Sequence, residues 1–400
     1  MTTPVNYIEK ECKTLLNRMK ETLFTMRTYS IRLTANLYSG CVFDCPYCYA
    51  PYIHKFNEGA TPQEFGTKIF VKENAIEALD KQIRTMKRKK DYVPEYVDLG
   101  TITDCYQPIE SKYKLTRQVL ERFVAHEIPV TILTKSDLVT RDIDLLKALA
   151  EQQKAAVGIS ITMSTSEEKP YKAFLEPKSP STAKRLEALR QLNAAGIPTF
   201  VFVNPVVPFL SATEKNIREL FQEIADTGTS NIFFGVMKLN PLTWSLFRSR
   251  LEAFQPELVP SFHDLYFKYG TKELLRAAVP SYEYREELYG MARDIAKEIG
   301  TGFSCEGGLY HLWLNDWAEC EKGFNYPTGY HFWKAVKDRN GELLDFDGLA
   351  QELTQHYPIL KPAYLDSLAS FWKQDLLFTE LNDIERIELD GQLMYRWISA

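Results

Sequence analysis

Three cysteines fall within eight residues, Cys41-Val-Phe-Asp-Cys45-Pro-Tyr-Cys48, in a CX3CX2C spacing. Thiolates ligate iron–sulfur cubes and structural zinc, and both ordinarily take four protein ligands. Three close thiolates therefore leave one metal position open to something that is not protein. The spacing also admits a zinc half-site in which Cys45 and Cys48 join distant ligands. For that reading His54, Cys105, Cys305 and Cys320 are candidates, but none makes a second close pair. A disulfide framework fits less well, because seven cysteines is an odd number and no secretory signal precedes them.

The flanking residues say how such a loop is held. Residues Leu33 to Tyr38 predict a strand, Ser39-Gly40 a tight turn, and Pro46 denies the segment a continuous helix. Three thiols on a loop at a strand end, followed directly by the aromatic Tyr49, resemble the signature of the radical S-adenosylmethionine (SAM) superfamily. The resemblance implies a [4Fe-4S] cluster on Cys41, Cys45 and Cys48. It also implies SAM on the unligated iron, and reductive cleavage of SAM to a 5′-deoxyadenosyl radical.

Further motifs follow in order: Gly100 to Glu110 with Thr103, Asp104, Cys105 and Gln107; Thr134-Lys135-Ser136; Ser160 and Thr162; Glu176-Pro177; and Ala195 to Pro198. Together they resemble the spore photoproduct lyase-like branch of that superfamily, over about residues 30 to 210. The resemblance implies that SAM lies across the strand tops. Tyr47 and Tyr49 would then meet its adenosine, Thr103 and Ser160 its polar groups, and Lys135 its carboxylate. These roles suit an aromatic face, hydroxyls and a compact ammonium. Each also has a plainer reading: Lys135 as a solvated lysine, Tyr47 as a packed ring, Ser160 as a helix cap. An external electron donor of flavodoxin or ferredoxin type is implied as well.

In the lyases, the resemblance implies, a cysteine three residues before the aspartate returns a hydrogen atom to the product radical. Here that position is Thr101. Alternation along an extended segment would put residues 101, 103 and 105 on one side, making Cys105 a candidate donor. A small buried residue is the other reading of Cys105.

Elements that would position these residues alternate along the chain. Strands are expected at 33–38, 97–102, 129–134, 155–162, 198–203 and 231–236. Helices are expected at 8–25, 73–89, 114–125, 141–152, 181–195 and 212–226. The fold class is thus α/β, a partial (β/α)6 TIM barrel of radical SAM type over 31–240. An N-terminal helical segment occupies 1–30. A mainly helical C-terminal region, 241–400, would cap the mouth and supply specificity, with helices at 243–254, 261–275 and 282–298 and a short strand near 302–305. Its aromatic stretch from Tyr310 to Trp333 could stack a planar substrate. With Cys305 and Cys320 as the late cysteines, one cluster is expected rather than two.

Composition bounds the partners. Lys and Arg number 48 against 53 Asp and Glu, a net charge of -5, whereas nucleic-acid affinity comes mostly from basic residues meeting phosphates. The basic run Lys87 to Lys90 reads as the cationic end of a surface helix. A small-molecule substrate, of nucleoside or sugar type, is therefore expected in preference to nucleic acid. No apolar run long enough for a membrane span appears, and a cytoplasmic location is expected.

Overall fold

Six apolar runs become strands, each laid beside its predecessor: β1 Leu33–Ala35, β2 Val97–Leu99, β3 Val130–Thr134, β4 Ala155–Ser160, β5 Thr199–Val206 and β6 Asn231–Val236. Pairing is parallel from β2 to β6, with Val97 opposite Val130, Val130 opposite Ala155, Val157 opposite Thr199 and Ile232 opposite Val201. Short strands border the set, Leu16–Arg18 beside β1 and Gly302–Cys305 beside β6. The computed structural model describes residues 4–18, 33–90, 92, 94, 97–152, 154–272, 277–305, 335–356, 365, 368–369, 372–373 and 384–398.

Helices return the chain between parallel strands: α1 Ala75–Lys87, α2 Leu115–His126, α3 Ile143–Ala150, α4 Glu168–Leu175, α5 Thr182–Ala194 and α6 Glu214–Ala225. Helix α6 shows why they form. Ile217, Leu220, Phe221 and Ile224 recur at helical spacing and are buried, and the Thr213 hydroxyl caps the first turn by accepting from the Asn216 N–H. Consecutive order, parallel pairing and helical crossovers make a partial (β/α)6 TIM barrel, as expected.

The N-terminus departs from expectation. Residues Asn6–Lys10 form a strand that pairs in parallel with Lys68–Lys72, and Tyr38–Ser39 runs antiparallel along the other side of that strand. Residues 12 to 16 are then tied by side-chain amides: Asn74 takes the Cys12 N–H at 2.8 Å, and Gln82 takes those of Leu15 and Leu16 at 2.8 and 2.9 Å. A sheet partner some sixty residues away outweighs the helical pattern of this stretch, so the helix expected over 8–25 is absent from 8–18. Residues 19–25 lie outside the described residues.

Two strands are shorter than expected. β1 stops at Ala35, and β2 stops at Leu99, where Gly100 turns at φ +86° with its Cα against the Leu133 carbonyl. A Cβ at 100 would lie 2.1 Å from that oxygen, so only glycine fits. In place of one helix over 261–275 the chain forms a helix at Leu258–His263, a π-helical turn at Asp264–Lys268 and a strand at Thr271–Lys272 paired with Ala278–Val279.

By contacts the chain divides into residues 1–17 with 34–303, and residues 18–33 with 304–400. Helices α7 Pro241–Phe254 and α8 Tyr282–Ile299 therefore group with the barrel, beyond the boundary expected at 240. The second unit contains a helix, Phe346–His356, and an antiparallel hairpin, Ile384–Leu389 with Gln392–Trp397, that was not foreseen. Within it the Trp372 indole donates to the Leu393 carbonyl at 2.9 Å and meets Tyr395 edge-on. Among the described residues no helix is long and apolar enough to cross a membrane.

Candidate cluster and cofactor site

The cysteine loop is fastened before any ligand is considered. The Cys41 N–H donates to the Phe65 carbonyl at 3.0 Å, and two tight turns close within the loop, Asp44 onto Cys41 and Cys48 onto Cys45. Gln107, fully buried, accepts from the Val42 N–H at 3.2 Å and donates to the Gly40 carbonyl at 3.1 Å. Between the first two cysteines Asp44 adopts φ +55°, a left-handed geometry that aspartate tolerates better than most residues. Gly66 lies directly against it, where a Cβ would come within 2.4 Å of Asp44 Cγ.

Cys41, Cys45 and Cys48 are free, half-buried thiols. Burial raises all three; Cys45 is pushed up to about 12 although Lys135 pulls the other way, and Asp104 raises Cys41 further. Among the described residues no three His, Cys, Asp or Glu side chains converge on a single metal ion. A cube binds each thiolate on its own iron, so three unpaired thiols spread along one pinned loop suit it. His54, the nearest alternative ligand, is a packed residue instead. Its Nε2 lies 2.9 Å from the Lys68 carbonyl and its ring stands between Phe65 and Phe70.

Lys135 follows β3, and its Nζ reaches 3.4 Å from Glu176 Oε1 while standing 5.6 Å from the centre of the Tyr47 ring. The same carboxylate receives the Tyr47 hydroxyl at 2.5 Å, Arg185 Nη2 at 2.5 Å, and the Thr162 and Ser179 hydroxyls at 3.3 Å each. Burial pushes the Glu176 carboxyl up, but Arg185, Lys135 and these hydrogen bonds outweigh it and hold it well below the usual carboxylate range. Asp104 fixes the Lys135 backbone, accepting from its N–H at 2.7 Å and from the Thr134 hydroxyl at 2.6 Å.

The expected cofactor residues are thus placed unequally. Lys135 and Tyr47 come together on Glu176. Ser160 is buried at the end of β4, and its carbonyl accepts from Arg185 Nη1 at 2.8 Å. The Thr103 hydroxyl donates to the Tyr38 carbonyl at 2.8 Å, and Tyr49, 50% exposed, donates to the Thr101 carbonyl. Cys105 is 1% exposed, and burial raises its thiol well above the ordinary value. Because β2 ends at Leu99 and 100–106 runs through bends, the alternation that would align 101, 103 and 105 does not apply. Cys320 and the aromatic stretch from Tyr310 to Trp333 lie outside the described residues.

Sequence reasoning gave no role to Glu176, Arg185 or Gln107. Arg185 had a readable signal. It lies on the buried face of α5 with Leu186, Leu189 and Leu192, and a charge in an apolar stripe needs a buried partner.

A half-open barrel with a three-thiol loop beside a shielded lysine defines a radical SAM domain, and the comparisons agree. Residues 35–224 match the family model of the radical SAM superfamily and form a radical SAM domain. An uncharacterized protein of Mycobacterium tuberculosis is 29% identical over 262 residues, 66% of this chain and 74% of the relative. The radical SAM Nalpha-GlyT isomerase of Pseudomonas phage M6 is 27% identical over 282 residues, 69% of this chain and 54% of the isomerase. Among solved structures, spore photoproduct lyase complexed with dinucleoside spore photoproduct aligns with a TM-score of 0.56 at 18% identity, covering 75% of this chain and 81% of that one. That likeness is one of fold. The protein is a radical SAM enzyme, whose cofactors are a [4Fe-4S] cluster and SAM.

Proposed function

We propose that Cys41, Cys45 and Cys48 hold the cluster and that the enzyme abstracts hydrogen from a small molecule, of nucleoside or sugar type, to rearrange, epimerise or sulfurate it. The observation that carries this reading is Lys135, held by Glu176 and Tyr47 and pulling on the Cys45 thiol. When bound, the cluster supplies an electron from a flavodoxin- or ferredoxin-type donor and SAM supplies the abstracting radical.

The chain's own residues do the rest. Lys135 offers ammonium protons to a carboxylate, and Glu176 and the Tyr47 ring fix where it points. Ser160 closes β4 and Thr103 lies beyond the end of β2, where both are proposed to meet polar groups of SAM, and Tyr49 is exposed enough to stack on an adenine. Cys45 borders an apolar cluster of Tyr47, Phe174, Leu210 and Phe247, which keeps water from that flank. Residues 241–303, which group with the barrel, and the region beyond them are proposed to carry specificity.

A second reading is modification of a nucleic acid, favoured by the likeness to a lyase complexed with a dinucleoside spore photoproduct. The net charge of -5 weighs against it. The deciding experiment is anaerobic iron–sulfur reconstitution followed by reduction with SAM. A four-iron cluster and 5′-deoxyadenosine are expected, both lost in Cys41→Ala, Cys45→Ala and Cys48→Ala. Zinc in place of iron, or cleavage surviving those substitutions, overturns the assignment. Oligonucleotide titration across a salt series then separates the two substrate classes, weak nonspecific binding being expected.

A further inference from the structure

The geometry points to Arg250 as a positioning residue for the cysteine loop, one that also sets the charge felt by whatever the loop holds. Arg250 stands on α7, outside the residues 35–224 that match the superfamily. Its guanidinium closes as a fork on a single residue: Nη1 donates to the Asp44 carbonyl and Nη2 to Asp44 Oδ1, both at 2.7 Å. Asp44 directly precedes Cys45 and bears on Cys48 electrostatically.

Three features show that this contact is constructed. Helix α7 is anchored by buried Phe247 and Leu251, with Phe247 against Phe174 and Phe262. Asn240 caps the helix by accepting from the Thr243 N–H at 2.9 Å. Asp44 is held in its left-handed geometry with Gly66 pressed against it, so its carbonyl and carboxylate face one donor fork.

Magnitudes decide what the pair is for. Arg250 and Asp44 side chains are 38% and 24% exposed, and ion pairs at such exposure contribute only about 0–1 kcal/mol to stability. Their charge matters more locally, because net charge and hydrogen bonding beside an iron–sulfur cluster set its reduction potential. Paired, Asp44 is neutralised next to the thiolates; unpaired, it would oppose the incoming electron. The inference rests on the cluster assignment above.

The test uses the full chain, reconstituted anaerobically, with the cluster potential followed by electron paramagnetic resonance during redox titration. Arg250→Gln is expected to keep its iron and shift the potential negative. Arg250→Lys, which keeps the charge but not the fork, should restore most of it. The double variant Asp44→Asn/Arg250→Gln should return to the wild-type value. If Arg250→Gln does not take up iron, Asp44→Asn alone decides: with Arg250 unpaired the potential should move positive, and no movement overturns the proposal. An unchanged potential and spectrum in Arg250→Gln overturns it too, while leaving the cluster assignment intact. Wild-type protein that takes up no cluster overturns both.

Discussion

Lys135 and Arg185 share one carboxylate: Glu176 meets the first at 3.4 Å through Oε1 and the second at 2.5 Å through Oε2. Arg185 and Glu176 are fully buried, whereas Lys135 keeps 14% of its side chain exposed. Arg185 also meets Glu168 Oε1 at 3.7 Å, so of the two cations Lys135 is the one with an exposed face to present to an incoming anion.

Replacing Lys135 with Ala should therefore weaken SAM binding and spare the iron. A lost hydrogen bond to a charged group costs about 1.5–3 kcal/mol, or roughly 10- to 150-fold in Kd. Equilibrium binding of SAM to the reconstituted variant measures this, with iron content as the control. Unchanged affinity would return Lys135 to a purely structural pairing with Glu176.

Glu176 predicts a pH signature. Its folded pKa is depressed, so its contribution to stability is complete above the unfolded value of about 4.3 and disappears as pH falls through the folded one. Glu176→Gln removes that dependence and leaves Arg185 without its buried counter-charge. At neutral pH the loss should be about 3–5 kcal/mol. Denaturant melts from pH 7 downward should show wild type losing stability below pH 4 more steeply than the variant.

Gln107 ties the cysteine loop to the segment after β2 through two backbone contacts. Gln107→Ala leaves the Val42 N–H and the Gly40 carbonyl without that partner, at about 1–3 kcal/mol each where water cannot replace it. The fold should persist while the loop loosens. Chelator-driven iron release should be several-fold faster than in wild type, and equal rates would refute the clamp.

For Cys105, burial and the early end of β2 favour packing over hydrogen return. Cys105→Ala should cleave SAM normally and give the same product, with a stability loss of about 1 kcal/mol for a small buried side chain. Normal cleavage with lost or diverted product would instead make the thiol the donor that Thr101 cannot be. An alcohol O–H is too strong a bond to give up its hydrogen atom readily.

Much of the barrel was legible because its signals are local. Val130 to Thr134 and Ala155 to Ser160 are apolar runs bounded by helical periodicity, and their strand positions agree with the structure to within two residues. The cysteine loop was equally local. What stayed hidden depends on partners distant in sequence. Asn6–Lys10 is a strand only because Lys68–Lys72 lies beside it, and nothing near Asp44 hints at Arg250. Lys135 was expected at the site from its place after β3, yet the carboxylate that holds it comes from beyond β4.

The fork between Asp44 and Arg250 spans 206 residues, which gives the loop a history as well as a geometry. At about 5–20 residues per second, the ribosome needs roughly 10–40 s after making Asp44 to reach its clamp. The loop's contacts with Phe65 and Gln107 are thus available early and its fork to Arg250 late. A nascent chain passes that interval with the Asp44 carboxylate beside the thiols and its counter-charge still unmade, so the environment in which iron first meets the loop differs from the finished one.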